Sequence, residues 1–116
     1  MDTPSLAQEV TELHADMCSA LAEPKRILIL YALAEGRQNV SDLANLIGIS
    51  QPAASRHLKI LRERGLAQPV RQGASVVYHL TDERLIEALD LLRAVLRDRI
   101  HYRASLIDTV ANENTA

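Results

Sequence analysis

The side chains between residues 51 and 62 are the part of this sequence whose types and spacing indicate a specific chemistry. Ala54, Leu58 and Leu61 recur at the i, i+4, i+7 spacing of a buried helical stripe. The rest of the predicted helix carries amide, hydroxyl and cationic groups and no Phe, Tyr or Trp. Such groups hydrogen-bond to base edges and phosphates, so the segment resembles a helix that enters the major groove of DNA. The residues on this polar face are Gln51, Ser55, Arg56, Lys59 and Arg62.

Two short helices separated by a tight turn are predicted for residues 41–66, and the second helix carries the polar face. Gly48 suits the turn because glycine readily adopts a positive φ at a helix stop. Ser50 offers an oxygen that caps the next helix, and Pro52 is tolerated in a first helical turn, where its missing N–H is not needed. The pattern predicts a helix-turn-helix. An ordinary helical hairpin with a solvated polar face is the alternative.

A β-hairpin is predicted for residues 67–80, directly after the second helix. Two strand-like runs flank Gln72-Gly73, and a glycine suits the turn of a hairpin. A hairpin in this place is the wing of a winged helix. Arg71 is expected near its tip, where a guanidinium reaches a phosphate or the minor groove; a solvated loop charge is the alternative. The apolar residues that alternate with polar ones are Val70, Val76, Tyr78 and Leu80.

Length and composition favour one small domain over residues 1–116. The chain is 47% hydrophobic but only 3% aromatic, so an aliphatic core is expected. No apolar run approaches the ~20 residues that span a membrane, and no signal peptide is recognised. A single cysteine cannot form an internal disulfide, so a reducing cytoplasm is the expected location. In the helix after Pro24, the expected core residues are Ile27, Leu28, Tyr31 and Leu33.

The formal net charge of −2 conceals an uneven distribution of charge. Residues 1–23 carry five acidic side chains and no lysine or arginine, whereas residues 50–75 carry five lysine or arginine side chains and one glutamate. A basic stripe in a mildly acidic protein is typical of a nucleic-acid-binding face.

Helices at both ends of the chain carry apolar stripes that a winged helix is too small to cover. The first is predicted within residues 1–22, and the last within residues 82–107 with Thr81 as its N-cap. A symmetric homodimer would bury both stripes; a monomer with both helices folded over one core is the alternative. The stripes consist of Leu6, Val10, Leu13 and Met17 in the first helix and Leu85, Leu89, Leu92 and Leu96 in the last.

From about Ala20 to Leu96 the chain resembles the arsenic-repressor (ArsR-type) family of bacterial winged-helix transcriptional regulators. The resemblance lies in LAEPKRILILYAL, VSDLANLIGISQPAASRHLKILRERGL and the wing VRQGASVVYHLTD. It implies a mainly α-helical winged helix-turn-helix of four helices, two strands and a final helix, dimerisation through the terminal helices, and repression at an inverted-repeat operator that an effector relieves. By match to the family's recognition helix, the residues expected to contact DNA are Gln51, Ser55, Arg56, His57 and Lys59.

This chain departs from the metal sensors of the family at both of their familiar sites. Where the soft-metal and arsenic sensors carry Cys-x-Cys, it has Asn39 and Ser41, and neither an amide nor a hydroxyl is a good soft-metal ligand. Where the zinc-type sensors carry an Asp and a His two apart, it has Asp82 and Arg84, and a fixed positive charge opposes cation binding. Both sites are therefore expected to be absent.

His14, Cys18 and His101 are the remaining candidate ligands for a transition metal. His14 and Cys18 are four apart on the first helix and so project from one face. In the resembling family the last helix packs near the first at the dimer interface, which would let His101 complete a zinc or copper site. Burial of these residues by packing alone is the alternative. The effector is left open among a metal, a small organic molecule and oxidation of Cys18.

Two other classes of function are compared with a DNA-binding regulator. An enzyme is not expected, because the sequence has no Gly-rich phosphate loop, nucleophile elbow or metal-ligand cluster of convincing spacing. A winged helix that binds only protein is the other alternative, since a fold does not fix a function. Such modules usually lack an intact basic reading face, which this sequence has.

Overall fold

The computed structural model describes residues 3–114 as helices and one β-hairpin. The chain divides into two compact units, Met1–Glu83 and Arg84–Ala116. In order, the elements are α1 (Leu6–Leu13), a π-helical turn (His14–Cys18), α2 (Ser19–Leu21), α3 (Pro24–Glu35), α4 (Val40–Ile47), α5 (Gln51–Glu63), β1 (Ala67–Gln72), β2 (Ser75–Leu80) and α6 (Arg84–Asn114).

The N-terminal helical run comprises α1, the π-helical turn and α2. It begins at a capping box, in which the Ser5 hydroxyl accepts from the Gln8 N–H and the Gln8 side chain accepts from the Ser5 N–H. In the π-helical turn the Ser19 N–H donates to the His14 carbonyl, five residues back instead of four. The apolar spacing predicts a regular helix here and does not reveal this interruption.

The core of the first unit is aliphatic, as predicted from the composition. Ile29 and Leu30 of α3, Leu43 of α4, and Leu58 and Leu61 of α5 all have 0% exposed area. Burial of one such side chain contributes roughly 1.5–3 kcal/mol. Since α3, α4 and α5 share this core, the helix with the polar face has a fixed inner side.

The prediction that Leu28 of α3 is a core residue is wrong. Leu28 is 46% exposed, whereas its neighbours Ile29 and Leu30 are fully buried. α3 itself carries apolar residues on nearly all sides, so their spacing in the sequence does not show which side faces inward. Packing against the other helices decides which side is buried.

The second unit is the helix α6. It begins at Arg84, two residues after the predicted start at residue 82, and it continues to Asn114, beyond the predicted end at residue 107. Leu89 is 5% exposed, but Leu92 and Leu96 are 64% and 55% exposed. Among residues 3–114, no helix combines the length and apolar character that a membrane crossing requires.

Candidate nucleic-acid interface

The turn between α4 and α5 fixes where the polar helix begins. Gly48 adopts the left-handed conformation at φ 79° and ψ 37°, as the sequence predicts. The N–H groups of Gly48 and Ile49 both donate to the Ala44 carbonyl, at 2.9 and 3.0 Å, which closes the end of α4. The Ser50 hydroxyl then accepts from the Ala53 N–H at 3.2 Å and caps α5. The predicted cap and turn residues are confirmed.

The polar side of α5 is exposed while its apolar side is buried. Ala54, Leu58 and Leu61 are 0% exposed, which confirms the predicted stripe. Most of the predicted DNA-contacting side chains are solvent-exposed, and so is Arg62 on the same helix. A rigid helix with exposed amide, hydroxyl and cationic groups can present them to base edges and phosphates. The exposed members of the predicted set on this helix are Gln51, Ser55, Arg56 and Lys59.

The hairpin follows α5 and carries one further cation near its tip. β1 and β2 pair antiparallel, with Gln72 opposite Ser75 and a two-residue turn between them. Gly73 occupies the first turn position with φ 63°, a value that glycine adopts without a steric penalty. Arg71 is exposed and lies opposite Val76, one residue pair from the turn, as predicted for a wing residue.

The apolar residues that alternate along β2 are not equally buried, since Tyr78 and Leu80 are half-buried and Val76 is exposed. Val76 is 42% exposed, and Val77 is the buried valine at 9%. The register explains the difference, because Val77 is directly opposite Val70 and directly opposite residues share a face of the sheet. The strand is also fixed from its other edge, where Tyr78 and Gln38 exchange two backbone hydrogen bonds of 2.7 and 3.2 Å.

His57 has surroundings unlike those of the other predicted DNA-contacting residues. It is half-buried, and its Nδ1 lies 3.4 Å from Nη1 of Arg26 in α3. Burial lowers the pKa of His57 below its ordinary 6.5, the positive charges of Arg26 and Arg56 lower it further, and Glu23 opposes the shift. The neutral imidazole is therefore the favoured form. No sequence pattern signals this contact, because the two residues are 31 positions apart.

The three candidate metal ligands are all exposed side chains. His14 and Cys18 stand at the two ends of the π-helical turn, and His101 belongs to α6. Across residues 3–114 there is no group of three or more His, Cys, Asp or Glu side chains placed to hold a metal ion. Asn39, at the soft-metal position, uses its side-chain oxygen to accept from the Asp42 N–H at 2.7 Å.

Comparison with known proteins decides the family. A family model described as "Bacterial regulatory protein, arsR family" matches residues 23–68. The HTH-type transcriptional regulator NmtR of Mycobacterium tuberculosis is 40% identical over 90 residues, which are 78% of this chain and 71% of NmtR. The chain belongs to the arsR family of bacterial regulatory proteins. The resemblance recognised in the sequence is thus confirmed.

Further members and solved structures agree with this ArsR-family assignment. The biofilm growth-associated repressor of Agrobacterium fabrum is 35% identical over 89 residues, which cover 74% of this chain and 75% of that protein. A homodimeric winged helix-turn-helix DNA-binding domain from Mycobacterium bovis matches with a TM-score of 0.73 at 27% identity, covering 88% of this chain and 95% of that domain. The predicted winged helix-turn-helix fold is confirmed, and this ArsR-family protein is a transcriptional regulator.

Proposed function

We propose that this ArsR-family protein represses transcription by binding a specific operator in duplex DNA as a homodimer, with α5 of each subunit in the major groove. The exposed polar face of α5 carries the proposal. Gln51, Ser55 and Arg56 are exposed, while Leu58 and Leu61 hold the other side of the helix in the core. Such a helix can approach base edges without disturbing the packing behind it.

The side chains on this surface have chemistry suited to two kinds of DNA contact. Arg56 can donate two hydrogen bonds to a guanine, and Gln51 can pair with an adenine edge, whereas Ser55 accepts or donates to several bases. Lys59 of α5 and Arg71 of the wing suit phosphates: the lysine ammonium attracts them as a single charge, and the arginine guanidinium can donate two parallel hydrogen bonds. Base contacts would set the operator sequence, and phosphate contacts would set register and salt dependence.

Exposed apolar residues at the two ends of the chain support a dimer. In α1, Leu6, Val10 and Leu13 are 77%, 52% and 49% exposed, and in α6 Leu92 and Leu96 are more than half exposed. A second copy would remove these side chains from water through a two-fold interface. Two-fold symmetry in turn requires operator half-sites about one helical turn, or a multiple of it, apart. The solved M. bovis domain is itself homodimeric.

Relief of repression by an effector is part of the proposal. The candidate effector is a transition metal held by the exposed His14 and Cys18 together with His101, with ligands from both subunits of the dimer. A small organic molecule between the terminal helices and oxidation of Cys18 across the dimer are the alternatives. The proposal gives the protein no catalytic role and places it in the cytoplasm.

A mobility-shift titration on the promoter fragment of the protein's own gene, with a scrambled fragment of equal length, tests this function. We expect a strong preference for the promoter fragment. The triple variant Gln51→Ala/Ser55→Ala/Arg56→Ala should lose this preference, because it removes the base-reading groups. The control variant Arg97→Ala, in an exposed part of α6, should retain it. Binding of neither fragment by the wild type would instead support a module that binds only protein, and equal binding of both would contradict recognition of a specific operator.

A further inference from the structure

Arg26 connects the end of the N-terminal helical run with the DNA-reading helix α5. Its Nε donates to the Ala20 carbonyl at 2.6 Å, and its Nη2 donates to the Ser19 carbonyl at 3.4 Å. Carbonyls at the end of a helix attract cations, and a guanidinium can bind several acceptors at once. The third guanidinium nitrogen, Nη1, lies 3.4 Å from Nδ1 of His57. One side chain of α3 thus contacts both α2 and α5.

The contact with Arg26 determines the protonation state and the tautomer of His57. Arginine has only donors, so Nδ1 must be the acceptor, and the ring proton of the neutral imidazole must lie on Nε2. A protonated imidazole has no free lone pair and would carry a second positive charge beside Arg26. The lowered pKa of His57 agrees with this geometry.

A second contact joins the same two regions at the end of α5. Nη1 of Arg64, the C-cap residue of α5, lies 3.8 Å from Oδ1 of Asp16 in the π-helical turn. Both side chains are substantially exposed, so the pair contributes little stability by itself. The N-terminal helical run is thus joined to α5 directly by Asp16 and Arg64 and indirectly through Arg26 of α3.

We infer that Arg26 is a positioning residue for DNA recognition, which holds α2 and His57 together and so fixes the orientation of α5. A change in the N-terminal helical run then alters operator affinity through this contact. His57 acts through its Nδ1 on Arg26, in place of the direct DNA contact that the sequence predicts for it. The inference rests on the proposed function, because it takes α5 as the DNA-reading helix.

Two substitutions of His57 distinguish positioning from direct contact with DNA. Asn carries its amide on Cγ, so His57→Asn keeps an acceptor close to the place of Nδ1, whereas His57→Gln keeps a polar group close to the place of Nε2. We expect His57→Asn to bind the operator within about twofold of the wild type and His57→Gln to bind about three- to tenfold more weakly. The reverse order would show contact through Nε2 and overturn the inference.

Arg26→Lys tests the other partner of the contact. Lysine keeps the charge but loses the fork that binds three acceptors, so operator affinity should fall about three- to tenfold. The double variant Arg26→Lys/His57→Gln should bind no more weakly than the weaker single variant, since both remove the same contact. The dependence of affinity on salt should keep its slope, because no phosphate contact is lost. The control Arg97→Lys should bind as the wild type does.

Additive losses in the double variant, or a salt slope reduced by about one in Arg26→Lys, would overturn the inference. Circular dichroism and thermal unfolding establish that each variant is folded. If Arg26→Lys does not fold, the comparison of His57→Asn with His57→Gln decides alone. Failure of the proposed function has a different signature, because the wild type itself would then show no preference for the operator.

Discussion

The side-chain oxygen of Asn39 accepts a hydrogen bond from the backbone N–H of Asp42 at 2.7 Å. A residue that stands where the soft-metal sensors of the family have a thiolate therefore serves here as the N-cap of α4. Helix capping needs a short acceptor, and an amide provides it.

Loss of this cap should destabilise the protein. Asn39→Ala removes the acceptor and should cost about 1 kcal/mol of unfolding free energy, whereas Asn39→Ser and Asn39→Asp keep an acceptor and should cost less. Urea unfolding of the three variants measures the difference. An unchanged midpoint for Asn39→Ala would show that the hydrogen bond to Asp42 contributes nothing to stability.

Substitutions in the DNA-reading surface should separate sequence recognition from general affinity. Arg56→Ala should weaken operator binding by about 1–3 kcal/mol and relax the preference at one operator position, if its guanidinium pairs with a guanine. Lys59→Ala and Arg71→Ala should weaken binding to all DNA sequences more evenly. Each should also reduce the slope of log affinity against log salt concentration by about one. Binding titrations against a set of single-base operator variants, at two salt concentrations, test both expectations. If Arg56→Ala weakened all sequences evenly, and Lys59→Ala or Arg71→Ala relaxed the preference at one position, the base-reading and phosphate-binding roles would have to be exchanged.

Charges in the apolar stripes of the terminal helices should prevent dimer formation. Leu13 and Leu92 are 49% and 64% exposed in the single chain, so Leu13→Glu and Leu92→Glu introduce a charge where a partner is proposed to pack. We expect monomers by light scattering and a large loss of operator affinity, because a single reading head loses the second half-site. Leu46→Glu, at a similarly exposed leucine of α4, is the control for association and should remain dimeric. A wild-type monomer at micromolar concentration would contradict the proposal.

Protonation of His57 should reduce stability at mildly acidic pH. Its folded-state pKa is lowered from 6.5, mainly by burial and then by Arg26 and Arg56, with Glu23 opposing. Between the lowered value and 6.5 the unfolded chain binds more protons, so the stabilising contribution is complete above 6.5 and is lost as the pH falls below it. Urea unfolding across this window should show a steeper loss for the wild type than for His57→Asn, which has no titrating ring. Parallel curves would show that His57 does not titrate differently on folding.

Metal titration tests the candidate ligands. If His14, Cys18 and His101 form a site, zinc, nickel or copper should bind the dimer and weaken its affinity for DNA. His14→Ala and Cys18→Ser should each reduce that effect strongly, because a three-ligand site tolerates no loss. Tight binding that survives both substitutions would exclude this site. An absence of any metal effect on operator affinity would favour an organic or redox signal.

Local features of the DNA-reading region could be predicted because local chemistry specifies them. Gly48, Ser50 and the stripe of Ala54, Leu58 and Leu61 each follow from conformational preference, capping or helical periodicity within a few residues. The structure agrees with all of these predictions. Such signals remain in a sequence because they do not depend on distant parts of the chain.

The predictions that were wrong depend on packing between elements. Leu28 faces solvent and Val77 faces the core because neighbouring helices and the strand register select those faces. The start of α6 at Arg84 is within two residues of the predicted start after Thr81, which is the ordinary spread of a helix boundary. The contact between Arg26 and His57 has no sequence signal, because it joins residues that meet only in the folded chain.

The π-helical turn at His14–Cys18 has a geometric consequence for any partner of the N-terminal helix. A single π-helical turn contains one residue more than an α-helical turn, which shifts the angular phase of the preceding residues by about 100°. Leu6 and Val10 therefore point in a different direction from the one that a straight helix through Met17 would give them. Deletion of one residue within the turn would restore a continuous α-helix and leave Leu6 and Val10 close to their present direction, whereas straightening the full-length segment would turn them by about 100°.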